Sequence, residues 1–263
     1  MGQIEGQVAI VTGAAGEIAQ GIARRFAREG AFVVVVDADG AAADDAARRI
    51  VDEGGRAEAR TADLREDGVA ARLADAVATA HGRIDILVNA QHAALRWARL
   101  ADKGEADFLA AYRQVVHTAV ATMCAVRPHM AARGGGRIVN VGSIYGPTAN
   151  EGVVDAVTMD GAMAALTRAA GMEWAPDLIL VNYLQPALAD IASLADYRAE
   201  RGAIVDHLIA NVPMRRLADP VEDIGGAAMF LVSDEACFIV GHKLYADGGQ
   251  HMVAAAFEPG AER

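Results

Sequence analysis

Residues 8–37, VAIVTGAAGEIAQGIARRFAREGAFVVVVD, read as strand, helix, strand. Val8–Thr12 is a short apolar run that stops at Gly13. Over residues 18–28, Ile18, Ile22, Ala23 and Phe26 recur at helical spacing and lay an apolar stripe along one face. Residues 32–36 are continuously apolar, as suits a strand covered on both faces, and Asp37 ends the run. Working outward, the same alternation continues. Helices are expected over 41–53, 67–81, 105–133, 156–173 and 221–232. Strands are expected over 56–61, 84–89, 137–141, 178–184 and 240–246. Regular alternation of this kind builds an α/β fold: a Rossmann-type, doubly wound parallel sheet with right-handed crossovers. One domain over 1–249 is expected, with an Ala-rich C-terminal tail over 250–263 that is loose or reaches a neighbouring subunit.

The net charge of −11 argues against nucleic acid and anionic membrane as partners. No apolar run approaches spanning length, and the N-terminus lacks a basic region followed by an apolar stretch, so a cytoplasmic protein is expected. Cys124 and Cys237 form no CxxC pair and have no histidines at ligand spacing, which argues against a metal site. Their apolar surroundings predict buried side chains.

The loop TGAAGEIA at 12–19 follows a strand and opens a helix. Asp63 follows the third strand, LVNA ends the fourth at 87–90, and GRIVNVGS occupies 136–143. VNYLQP follows at 181–186, then FLVSDE at 230–235 and DGG at 247–249. Together these resemble the short-chain dehydrogenase/reductase family over nearly the whole chain. The resemblance implies a nicotinamide cofactor held by Gly13, Ile18, Asp37, Asp63 and Asn89. Asp37 sits where an acidic residue binds the ribose 2′-hydroxyl, which favours NAD over NADP.

The departures from the family pattern carry the functional information. In TGxxxGxG, Glu17 and Ala19 replace the second and third glycines. A carboxylate beside a phosphate at ~4 Å would repel it by ~4 kcal/mol at an effective dielectric of about 20. That is roughly a thousandfold in affinity, so Glu17 is expected to obstruct the phosphate site. His92 replaces a glycine and is expected to add bulk to the same pocket. The family's reactive set is Asn, Ser, Tyr and Lys. Family spacing from Ser143 puts Ala156 at the Tyr position and Asp160 at the Lys position, with Val115 at or beside the Asn position. Only Ser143 is kept. Alanine transfers no proton, and a carboxylate raises a neighbouring phenol's pKa instead of lowering it.

An intact scaffold around a dismantled site resembles the non-catalytic subunits of heteromeric family members, such as the 2-(hydroxybenzyl)succinyl-CoA dehydrogenase type. That likeness implies a hetero-oligomer with an intact relative, or a homotetramer, acting on a secondary alcohol with NAD. It would assemble through helices 105–133 and 156–173 and the last helix and strand. A second reading is non-redox acid–base chemistry by Tyr145 with Ser143 and His92, with Glu151, Asp155 and Asp160 as further acids. A third is an ordinary reductase with an altered site. The segment 187–211 mixes Leu188, Ile191, Leu194, Ile204 and Leu208 with Arg198 and Arg201, where this family builds its substrate lid.

Overall fold

The computed structural model describes residues 2–92, 96–143, 145–146, 151–186, 189, 194, 202, 205–206 and 208–252. Ala187, Leu188, Ile191, Arg198, Arg201, Ile204 and the tail from 253 lie outside the described residues.

The first unit forms as its sequence suggests. Strand β1 (Val8–Thr12) leads into helix α1 (Glu17–Arg28) and strand β2 (Phe32–Asp37). Next come α2 (Gly40–Asp52), β3 (Arg56–Thr61), α3 (Val69–His81) and β4 (Ile86–Asn89). Then α4 (Glu105–Tyr112), α5 (Thr118–Ala132), β5 (Gly136–Val141), α6 (Val154–Trp174) and β6 (Ile179–Pro186) follow. Helix α7 (Gly225–Val232) and strand β7 (Lys243–Ala246) follow later in the chain. The sheet runs β3-β2-β1-β4-β5-β6-β7, and every pairing is parallel.

Side chains of a strand alternate between faces, so each central strand feeds two cores. Ala9, Val11, Val33 and Val35 pack with Phe26 of α1, Ile50 of α2 and Leu231 of α7. Val8, Ile10, Val34 and Val36 pack on the other face with Val77 of α3 and Met123 and Met130 of α5. This double coverage is why the strands read as unbroken apolar runs. Because β1 lies between β2 and β4, the chain changes direction across the sheet there. A crevice opens at the carboxyl ends of those strands, where open α/β sheets bind ligands.

Three local expectations change. Helix 105–133 contains a π-helical turn, Arg113–His117, between α4 and α5. Helix α3 begins at Val69, because Gly68 takes a left-handed conformation (φ 74°). Cys124 and Cys237 are exposed, not buried, and neither belongs to the two cores. Gln250–Met252 forms a 3-10 turn, with His251 hydrogen-bonded to Asp247. Among the described residues no helix is long and apolar enough to cross a membrane.

Candidate active site

The crevice has two halves. The first, a cavity of about 420 Å³, is lined by Gly13, Gly16, Asp37, Asp63 and His92 among others. Gly13 takes φ 76°, and a Cβ there would lie 2.7 Å from the Ala90 carbonyl oxygen, so only glycine fits. The Gly16 N–H donates to the Gly13 carbonyl, closing the turn that starts α1 and points its N-terminus at the crevice. Asp37 organises the rim. Its carboxylate accepts from the Ala15 N–H at 2.8 Å and the Asp39 N–H at 3.0 Å. Asp63 is gripped by Arg65 through two bonds of 2.8 and 2.7 Å, and that guanidinium holds its carboxyl below the usual range.

The second half is a cavity of about 210 Å³. Ser143, Val115, Ala156 and Asp160 all line it, so the four positions matched to the reactive set meet at one place. The π-helical turn carries Val115 to the cavity; β5 and α6 bring the other three. Ile18, Tyr145 and His92 also line this half, and His92 borders both halves beside Gly16. Asn89 is placed differently. It is buried and spends its amide on Asn140 at 2.9 Å and the Thr122 hydroxyl at 2.7 Å, so it ties β4 to β5 and α5 instead of lining the crevice.

Asp160 is buried yet fully engaged. Its Oδ1 accepts from the Ser143 N–H at 2.9 Å and the Tyr183 hydroxyl at 2.5 Å, and its Oδ2 meets Lys243 Nζ at 3.2 Å. It also fills the space beside two glycines, since a Cβ on Gly142 or Gly146 would come within 2.7 Å of its carboxyl group. A solvated helix residue would show none of these contacts. Burial, and then the Asp160 carboxylate, pushes the Tyr183 phenol above its ordinary pKa, which keeps it a protonated donor and a weak acid.

Tyr183 and Lys243 were not singled out from the sequence, although one signal existed. The chain has 22 arginines and only two lysines, Lys103 and Lys243. Each lysine pairs with a buried aspartate of α6. Lys103 Nζ lies 2.5 Å from Asp155, and its side chain is wholly buried. This pair helps fasten residues 96–103 beside the cavity. Trp97 meets Tyr145 edge-on at 5.8 Å, and the Ala98 N–H donates to the Gly152 carbonyl. Arg96 forks onto Asp107 with bonds of 2.8 and 2.7 Å and holds that carboxyl well below its ordinary range. A depressed carboxyl stabilises the fold above its unfolded pKa and stops doing so as pH falls through its folded pKa. Arg96→Gln is therefore expected to destabilise the chain at pH 6, by an amount that shrinks below about pH 4. Denaturant melts across that range measure it.

Glu17 corrects the expectation of an obstructed phosphate site. It lines a separate surface depression with Gln20, Arg24, Arg28 and Asp219, not the crevice. As the first residue of α1 it shares a face with Gly21, four positions on. That face packs so tightly on the turn at Pro220 that a Cβ on Gly21 would lie 2.4 Å from the Pro220 carbonyl oxygen. Glu17→Gly is expected to change NADH affinity by less than about twofold, against roughly a thousandfold for a carboxylate at the phosphates. Fluorescence titration separates the two.

Comparison with known proteins agrees with this geometry. Residues 13–251 match a family model described as enoyl-(acyl carrier protein) reductase. Oxidoreductase UcpA of Escherichia coli K12 is 32% identical over 258 residues, covering 96% of this chain and 97% of that protein. A putative short-chain dehydrogenase/reductase from Burkholderia xenovorans superposes with a TM-score of 0.89 at 30% identity, covering 97% of this chain and all of the other. A gluconate 5-dehydrogenase from Burkholderia cenocepacia, solved with NADP and tartrate, gives 0.86 at 30% identity, covering 95% and 97% of the two chains.

Proposed function

Because the chain belongs to the short-chain dehydrogenase/reductase family, we propose that it binds NAD in the crevice and serves as the non-catalytic subunit of an NAD-dependent alcohol dehydrogenase or ketoreductase assembled with an intact relative. One observation carries this reading. Val115, Ala156 and Asp160 surround the same cavity as Ser143, and Asp160 is locked by three donors. Among the described residues no lysine lines the cavity, Lys243 being held behind Asp160, and the matched tyrosine position is a methyl group. Loss of a positioned proton donor costs about 10²–10⁴-fold in rate. The nucleotide half, in contrast, keeps Gly13, Asp37 and an open helix N-terminus, and the NADP-bound relative shares the fold. Gly13, Ile18, Asp37 and Asp63 would border the cofactor, with Asp37 favouring NAD. Exposed Leu109, Tyr112 and Val120 on the α4–α5 side, and Phe238 and Val240 before β7, suit burial in an oligomer. Two exposed, unpaired cysteines suit the reducing cytoplasm.

A second reading rests on Tyr145, which lines the cavity with Ser143 and His92 and whose N–H donates to Ser143 Oγ at 3.3 Å. It makes the chain a stand-alone acid–base enzyme. The deciding experiment assays the purified chain alone and mixed with an intact relative, using NAD and secondary alcohols. The expected result is NADH binding, turnover by the chain alone at least about 100-fold below the mixture, and co-elution of the two chains. Full turnover by the chain alone, unaffected by Tyr145→Phe, would overturn the proposal. Activity alone that Tyr145→Phe abolishes would establish the second reading instead.

A further inference from the structure

At the opposite end of the sheet, the amino ends of β1, β4, β5 and β6 surround a polar cavity of about 350 Å³ lined by Gln7, Arg83, Arg133 and Arg137 among others. The geometry points to a binding site for a small oxyanion, a phosphate or a carboxylate, held by Arg133 and Arg137. Charge bookkeeping within the cavity is the first argument. Three arginines and two aspartates line it. Asp85 is consumed by Arg83, through bonds of 2.6 and 2.7 Å, and by the Val8 N–H at 2.8 Å. Arg133 stands 4.0 Å from Asp85, beyond hydrogen-bond reach. Arg137 stands 3.9 Å from Asp234, whose side chain is fully exposed. Among the described residues these two guanidinium groups thus have a carboxylate nearby but none within hydrogen-bond reach, on a chain whose net charge is −11.

The second argument is burial. The Arg137 side chain is 19% exposed, and its Nε–H is buried without a hydrogen-bond partner among the described residues. Buried donors are normally paired, so this guanidinium keeps unused hydrogen-bonding capacity at the cavity wall. The third argument is access. Residues 134–136 are glycines, so no side chain of that turn covers the cavity. A Cβ on Gly135 would lie 2.7 Å from the Leu178 carbonyl oxygen, which keeps the turn bare and close to the sheet. An arginine fork matches the planar oxygens of a carboxylate or the oxygens of a phosphate, in bidentate fashion.

The test follows the Arg side-chain Nε–H signals by NMR at constant ionic strength, titrating inorganic phosphate, acetate or chloride. NADH is kept saturating so that the crevice does not contribute. The expected result is a saturable shift at Arg137 and Arg133 with phosphate or acetate, and none with chloride. The stronger of the two ligands distinguishes a phosphate site from a carboxylate site. Arg133→Gln should weaken binding about tenfold, as loss of one charged contact implies, with the melting temperature unchanged without ligand. Arg137→Gln should abolish the saturable shift at Arg133. Linear shifts that chloride reproduces, or saturable shifts indifferent to both substitutions, would overturn the site.

Discussion

Asp160→Ala is expected to lower the stability of the folded chain by about 3 kcal/mol, the low end for removing one partner of a buried ion pair. The low end applies because Lys243 keeps 27% of its side chain exposed. Three groups lose their acceptor at once: the Ser143 N–H, the Tyr183 hydroxyl and the Lys243 ammonium. Asp160→Asn should cost roughly half as much, because a carbonyl oxygen still receives the two neutral donors while the lysine stays uncompensated. Adding Lys243→Met to Asp160→Asn should recover part of the loss, since removing both charges is far milder than removing one. Guanidinium unfolding of the three variants measures all of this. A cost below about 1 kcal/mol for Asp160→Ala would show that the pair does not hold β7 to α6. A consequence for the site follows. The position matched to the family's lysine has become a clamp on the loop after β5, so restoring Asp160→Lys alone would set two ammonium groups side by side.

Asp37→Ala is expected to weaken NADH binding about 10- to 100-fold, the equivalent of 1.5–3 kcal/mol for hydrogen bonds to a charged acceptor. The carboxylate has two tasks. It stands at the end of β2, where it would accept from the ribose hydroxyl, and it already receives the Ala15 and Asp39 N–H groups that shape the rim. NADPH should suffer less, or gain, because its 2′-phosphate would otherwise meet a like charge. Fluorescence titration with both nucleotides gives the answer. Unchanged NADH affinity in Asp37→Ala, together with a large change in Glu17→Gly, would place the nucleotide elsewhere.

The site was legible in part. Ser143, Ala156 and Asp160, matched by spacing, line one cavity with Val115, because β5 and α6 are regular elements and the π-helical turn adds Val115. Direction was not legible. Asn89 stands in the expected strand, but its amide turns to Asn140 and Thr122, a choice made by two elements beyond β4. The cysteines misled for a similar reason: apolar neighbours in sequence do not say which face of an element meets the core.

The sequence by itself determined the parallel sheet, and its spacing put Ala156 and Asp160 where the resemblance implies a Tyr and a Lys. Those follow from periodicity and from residue identity, which are local. Only the tertiary structure decided what the replacements do. Glu17 lines a depression apart from the crevice, beside the turn at Pro220 on which α1 packs, about 200 residues on. Asp160 is neutralised by a lysine 83 positions later, on the last strand. Electrostatic partners act through space at a few ångströms, and sequence separation carries no information about that distance until the sheet has closed.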